Sequence, residues 1–419
     1  MFHATLIIFR GYFLSIEFTL YPYLTSHGFL PYQNIIDQHF PTLMFGPFSL
    51  PVFLTSNPWP ILGLFLTVLC LTDVLLYASL IRFEVKKPFV WLVLYIVSSS
   101  YFSGNVLWIE TFVNLLLATW IFLSFSIRPG TRFVSGLILS QIFLLRPTII
   151  PAVAILFFGL SYSVSLPLVL GLISGIGVPL IFLFHQDILQ DFYRLAIVFN
   201  GSVYPHGAQL LPAKRQILTL FLFIAPVFCA LIKRKKYIFL LSLTFIFILI
   251  FPRFGYEHLQ PLYLCAVLFW ALNQSRPDKV VYLFILIFLA LNIVSSIRHP
   301  YGNYFLTPEV KSIAQTVKDL PGSTVYLLGA SDLIYPLSGK IPPKYTYLPS
   351  LPWYFGQQEF VDRVIVSLSD KNTPVLVDYS SAVDGYNVLE SSGLLFEYIK
   401  MNFIPGEKIG NYRIFFPNP

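Results

Sequence analysis

Asp37 is the residue in this chain best suited to do chemistry: it stands in the stretch GFLPYQNIIDQHFP, flanked by Tyr32 and His39. A carboxylate held at an apolar boundary gains basicity from partial desolvation and can act as a general base. The same residue also reads as a solvated loop acid. Glu110, in SGNVLWIETF, lies in an apolar run, where an acid faces either a cavity or a charged partner. Arg146 precedes Pro147, and Arg253 and His258 fall in FPRFGYEHLQP. A guanidinium beside a bilayer suits a phosphate or pyrophosphate through bidentate hydrogen bonds, with snorkelling to the interface or a headgroup contact as the plainer use. The stretch from His185 to Arg215 mixes Asp187, Asp191, Arg194, His206 and Lys214 with aromatic residues. That mixture fits an amphipathic lid over a lipid-linked substrate, and fits a solvated connector equally. Arg10, Glu17 and Asp73 lie deeper in apolar stretches and read as groups that pair one helix with another.

Several common chemistries lack their motifs. There is no G-x-S-x-G nucleophile turn and no phosphate-cradling loop of the Walker type. His39, His206, His258 and His299 are scattered without H-x-x-x-H spacing, so no metal site is read from them. A divalent cation bridging Asp37 and a phosphate is compatible with the sequence but not required by it. Cys70, Cys229 and Cys265 sit in apolar stretches with no disulfide or metal spacing.

The elements that must position these residues belong to a membrane. Of 419 residues, 56% are hydrophobic and 11% charged, against about 25% charged in a soluble domain. Runs such as ILGLFLTVLCLTDVLLYASL approach the length that crosses about 30 Å of hydrocarbon. We expect spans near residues 4–24, 60–81, 89–102, 106–126, 134–147, 148–162, 165–184, 216–232, 237–251, 260–273 and 281–297, about eleven transmembrane helices. The segment 4–24 has no convincing cleavage site and is read as a retained first span. Pro147 and Pro151 interrupt 134–162, which crosses twice or includes a re-entrant half.

Loop charge sets the orientation. With a cytosolic N-terminus, Arg82, Lys86 and Lys87, then Arg128 and Arg132, the Lys233–Lys236 cluster, and Arg276 with Lys279 all fall inside. Residues 25–59 contain no Lys or Arg and fall outside, as does the tail from Arg298. The net charge of +7 is thus largely a matter of topology, and no nucleic-acid partner is implied. The tail alternates β-type runs (STVYLLGA, TPVLVDYS, YRIFF) with helix-like ones, which predicts a small extracytosolic α/β domain. The expected organisation is a transmembrane domain over 1–300, with the first outer loop at 25–59, and a soluble domain over 301–419.

Taken together, the GFLPYQNIIDQHFP loop after a first span, the WIE segment, the LLRPT break, the YEHLQP turn and the α/β tail resemble bacterial C-type membrane glycosyltransferases, the mannosyltransferase-like and aminoarabinose-transferase-like branch. The resemblance implies a polyprenyl-phosphate sugar as donor, inverting transfer to an acceptor at the outer face of a bacterial plasma membrane, and Asp37 as catalytic base or acceptor-orienting group. Members often carry a second acid beside that position. Here Gln38 and His39 follow, which leaves His39 and Glu110 as candidates for the second role. Arg146, Arg253 and His258 are the implied donor-phosphate ligands, and Tyr32, Arg194 and His206 the substrate-loop candidates. A lipid transporter or flippase is the rival from another class, and it predicts related halves or polar helices at the midplane. A non-catalytic membrane scaffold is the other rival.

Overall fold

The computed structural model describes residues 1–45, 57–150, 163–214, 219–222, 253–274, 277–298, 306–369, 372–383 and 385–418, with positions 153, 154, 157, 216 and 217. The chain is mostly helical. It groups into two compact units, neither continuous in sequence: one is built from Met1–Ser15, Ile61–Phe182 and Leu211–Tyr304, the other from Ile16–Pro60, Leu183–Leu210 and Phe305–Pro419.

In the first unit, the helix Pro58–Arg82 begins on Pro58, whose missing N–H costs nothing in a first turn, and the Asn57 side chain accepts the Trp59 N–H at 3.1 Å. Its 25 residues extend about 38 Å at 1.5 Å per residue. Arg82 closes it, with the guanidinium 3.9 Å from the Phe122 ring centroid and donating to the Phe122 carbonyl. One face carries exposed Leu71, Val74 and Ile81, while Asp73 on the other is buried and receives His3 Nδ1 at 3.0 Å. Arg10 reaches Asn292 Oδ1 at 3.4 Å. Both pairs are the helix-to-helix partners expected of these residues.

Among the described residues, three helices are long and apolar enough to cross a membrane: Pro58–Arg82, Leu166–His185 and Lys279–Ile297. Those at Pro88–Gly104, Ile109–Leu123 and Pro129–Leu145 are apolar but shorter. The span expected at 237–251, and most of those at 216–232 and 148–162, lie outside the described residues.

The first expected span, 4–24, is not one helix. Phe2–Arg10 ends at Gly11 (φ 85°), Phe13–Leu14 run extended, and Glu17–Ser26 starts a second helix that belongs to the other unit. The break is stabilised because Phe13–Leu14 pair in parallel with Val106–Leu107, and Asn105 Nδ2 donates to the Gly11 carbonyl at 2.9 Å. A hydropathy run cannot reveal a partner that remote in sequence. The second half of that pairing depends on another break. After Pro88–Ser99 the helix unwinds over Ser100–Gly104, with Ser103 at φ 63°. Gln260 compensates by accepting from Ser99 Oγ at 2.7 Å and donating to the Ser99 and Phe102 carbonyls, which satisfies groups that would otherwise be orphaned in an apolar setting.

The helices Pro129–Leu145 and Leu166–His185 meet through glycine. A Cβ on Gly171 would lie 3.2 Å from Gly136 Cα and closer still to the Phe133 carbonyl, and one on Gly175 would collide with Ser140 Oγ. The sequence G-L-I-S-G at 171–175 is a small-xxx-small contact of the kind that lets helix backbones touch.

The second unit contains a four-stranded sheet. Tyr326–Leu328 pairs in parallel with Val375–Asp378, which pairs antiparallel with Tyr412–Pro417, itself antiparallel to Phe403–Ile409. Three of these strands form at the expected β-branched and aromatic runs. Helices Pro308–Asp319 and Gln358–Leu368 bury Ile313, Ala314 and Val317, and Phe360, Val361, Val364 and Leu368. The first is capped by Thr307, whose hydroxyl accepts the Val310 N–H at 3.1 Å. Residues 16–45 belong to this same unit and are stitched into it. Tyr23 Oη donates to the Lys340 carbonyl, the Ile36 N–H donates to the Tyr347 carbonyl and the Tyr347 N–H to the Asn34 carbonyl.

Candidate functional site

Two acid-centred clusters stand out, one in each unit. The Asp37 cluster is set by a tight loop. Gly28 takes φ 86° and Tyr32 φ 67°, Asn34 Oδ1 accepts the Leu30 N–H at 2.8 Å, and the Tyr32 N–H donates to the Ile35 carbonyl. Tyr32 is fully buried, edge-on to Phe192 at 5.4 Å, and donates its hydroxyl to the His39 carbonyl at 2.8 Å. It therefore braces the loop from within.

Asp37 is 2% exposed. Its Oδ1 accepts the His39 backbone N–H at 2.7 Å, an Asx-type turn, and meets His39 Nδ1 at 2.5 Å. Its Oδ2 accepts the Tyr21 hydroxyl. Gln38 bonds Tyr354 through both its N–H and its side chain, and its carbonyl accepts Asn200 Nδ2 at 2.9 Å. Phe199 stacks on Tyr354 at 5.3 Å. Arg363 donates to the Gln33 carbonyl. Stretches distant in sequence thus grip the loop on both sides of Asp37.

This arrangement corrects one expectation. Burial alone would raise the Asp37 pKa, as its apolar setting suggested. The charge of His39 and the hydrogen bonds from His39 and Tyr21 outweigh burial and hold the carboxyl below its ordinary range. Asp37 is thus an ionised carboxylate paired with an imidazole, and desolvation has not made it a stronger base. The His39 side chain keeps 20% exposure against 3% for Asp37, so the histidine forms the accessible side of the pair.

The second cluster gathers around Glu110, at the second position of the helix Ile109–Leu123. Glu110 Oε1 receives His258 Nδ1 at 2.8 Å and Arg146 Nε at 3.2 Å. Arg146 sits where the helix Pro129–Leu145 stops, at φ −147° and ψ 84°, because Pro147 disfavours helical backbone at the residue before it. His258 rides the first turn of the helix Tyr256–Asn273, behind extended Gly255. Of the expected phosphate ligands, the structure brings Arg146 and His258 together on one acid. Arg253 is half-buried just ahead of that helix.

In the 185–215 stretch, Arg194 pairs with Glu359 at 2.6 Å with both side chains largely in the open, and His206 is exposed at the end of a short turn, Tyr204–Gly207. Among the described residues, no group of three or more His, Cys, Asp or Glu side chains is assembled to hold a metal ion. Sequence reasoning missed Tyr21, Asn200 and Tyr354, which carry no local motif. It also missed Asn114, for which a signal existed: an amide four residues after Glu110 falls on the same helix face. No protein-family model and no curated protein matches this chain.

Proposed function

We propose that the protein is an integral membrane glycosyltransferase that moves a sugar from a polyprenyl-phosphate donor to an acceptor hydroxyl at the outer face of the membrane. In this reading the chain makes about eleven crossings from a cytosolic N-terminus, and the Asp37 loop and the α/β tail lie outside. The observation that carries the proposal is the Asp37–His39 pair, a buried ionised carboxylate bonded to a partly exposed imidazole in a stretch free of Lys and Arg. With its ring neutral before the reaction, His39 takes the proton, and the carboxylate fixes the imidazole and stabilises the imidazolium that forms, so the pair accepts a proton without Asp37 itself becoming neutral.

The acceptor oxygen attacks the anomeric carbon while its proton passes to the Asp37–His39 pair, and the bond from that carbon to the phosphate oxygen breaks with its electrons retained by the phosphate. The configuration inverts.

The test is transfer from a panel of radiolabelled polyprenyl-phosphate sugars in proteoliposomes, wild type against Asp37→Asn and His39→Gln. Transfer by the wild type and its loss in both variants, with melting temperatures retained, is the expected result. Folded wild type that turns over no donor, or full activity in Asp37→Asn, overturns the proposal.

A further inference from the structure

Glu110 is unevenly used. Its Oε1 receives both His258 and Arg146, while its Oε2 is buried with no hydrogen-bond partner among the described residues. One helical turn on, Asn114 is 6% exposed and its Oδ1 is likewise buried without a partner. The two residues are spaced i, i+4, so they share a face of the helix Ile109–Leu123. Buried acceptors in native proteins are rarely left unpaired. Two of them on one face, in an apolar run, call for a bound group that supplies two donors.

The third component is Arg146. Its Nε faces Glu110, its side chain keeps 24% exposure, and its two terminal nitrogens make no hydrogen bond among the described residues. That leaves the planar, two-pronged end of the guanidinium for an anion.

We propose that Glu110, Asn114 and Arg146 form a subsite for a hydroxyl-bearing sugar phosphate: the phosphoryl oxygens on the Arg146 terminal nitrogens, and two sugar hydroxyls donating to Glu110 Oε2 and Asn114 Oδ1. This deepens the glycosyltransferase reading and rests on it for the nature of the ligand. A subsite of this form selects for the sugar as well as for the phosphate, because a bare lipid phosphate leaves both acceptors unmet. Asn114 is then a specificity-determining residue, distinct from any proton-transfer step.

The experiment measures equilibrium binding of undecaprenyl phosphate, undecaprenyl-phosphoryl mannose and mannose 1-phosphate to the full chain in nanodiscs. The wild type should bind the mannosyl lipid at least about tenfold tighter than the bare lipid phosphate, since a site built for hydroxyl donors discriminates strongly against a ligand lacking them. Asn114→Leu and Glu110→Gln should each narrow that ratio while leaving the affinity for bare phosphate within a few-fold. Arg146→Gln should weaken both lipids about equally. If Asn114→Leu does not fold, Asn114→Ala replaces it. Equal wild-type affinities for the two lipids, or an unchanged ratio in a folded Asn114 variant, overturn the subsite. Because binding is read without turnover, a discriminating protein that transfers nothing keeps the subsite and sinks the transferase reading. Mannose 1-phosphate binding as tightly as the lipid keeps the subsite and removes the lipid-linked donor.

Discussion

Replacing Asp37 with Asn is nearly isosteric, and the structure sets what should change. The carbonyl of the substituted amide can still accept the His39 backbone N–H, which Asp37 now receives at 2.7 Å. Its NH2 group then faces the Tyr21 hydroxyl, which has lost its carboxylate acceptor, and the imidazole loses the negative charge that favours its protonated form. Removing a general base costs about 10²–10⁴-fold in rate, or about 3–5 kcal/mol in the barrier. The lost hydrogen bonds to a charged group cost about 1.5–3 kcal/mol of stability each in buried settings. Rate and stability should therefore both fall, with the rate effect larger than any loss of folded protein explains.

The sign with pH is fixed by the lowered Asp37 pKa. The folded state binds that proton less readily than the unfolded chain, so the wild type's margin over Asp37→Asn is fully present above about pH 4, the ordinary carboxyl range. The margin shrinks as pH falls through the lower folded value. Thermal melting of both proteins in detergent from about pH 3 to 8, paired with sugar-transfer rates at each pH, reads both quantities across the carboxyl range. A stability margin that grows on acidification, or a rate loss under about tenfold in a protein as well folded as wild type, would refute the assigned pairing and the catalytic role respectively.

Gly171→Leu should lower the melting temperature and the yield of folded protein, because the new side chain has only the Phe133 carbonyl and Gly136 to occupy; the neighbouring Gly177→Leu, with open space around it, is the control and should be near neutral. Gln260→Leu removes the group that serves the Ser99 hydroxyl and the Ser99 and Phe102 carbonyls and should destabilise by about 3–9 kcal/mol, at about 1–3 kcal/mol for each of these buried groups left unpaired, read as a shift in a denaturation midpoint. Asp332, which accepts the Tyr347 hydroxyl at 2.9 Å, is pushed by burial up to about 7. An acid with a raised folded pKa loses stability as pH climbs from its unfolded value, about 4, to its folded one. Asp332→Asn should thus match wild type near pH 4, gain on it up to about pH 7 and hold a constant advantage above that. A difference independent of pH would count against this.

The residue classes that carry the two clusters were legible in the sequence, because buried charge is rare enough in an apolar chain to announce itself. Asp37, His39, Glu110, Arg146 and His258 are all conspicuous on that ground. The identity of their partners was not legible: Glu110, Arg146 and His258 come from three segments whose meeting depends on tertiary packing, and nothing near Asp37 in sequence points to Tyr354 or Asn200. The long helices Pro58–Arg82 and Leu166–His185 follow directly from hydropathy. The failure at 4–24 has the opposite cause. Hydropathy averages over a window, and the backbone there obeys Gly11 and the pairing with Val106–Leu107, a single residue and a remote strand to which an average is blind. The division of residues 1–60 between two units was hidden for the same reason.

The loop that carries Asp37 is built against residues 346–354 and 363, which the ribosome adds roughly 300 residues later. At about 5–20 residues per second, that gap is tens of seconds. During that interval the loop has been translated and its later partners do not exist: Asp37 can already meet Tyr21 and His39, while Gln33, Asn34, Ile36 and Gln38 still lack the bonds that hold the loop from residues 347, 354 and 363. A chain arrested before residue 347 therefore carries the Asp37 loop without the backbone and side-chain bonds that hold it in the finished unit.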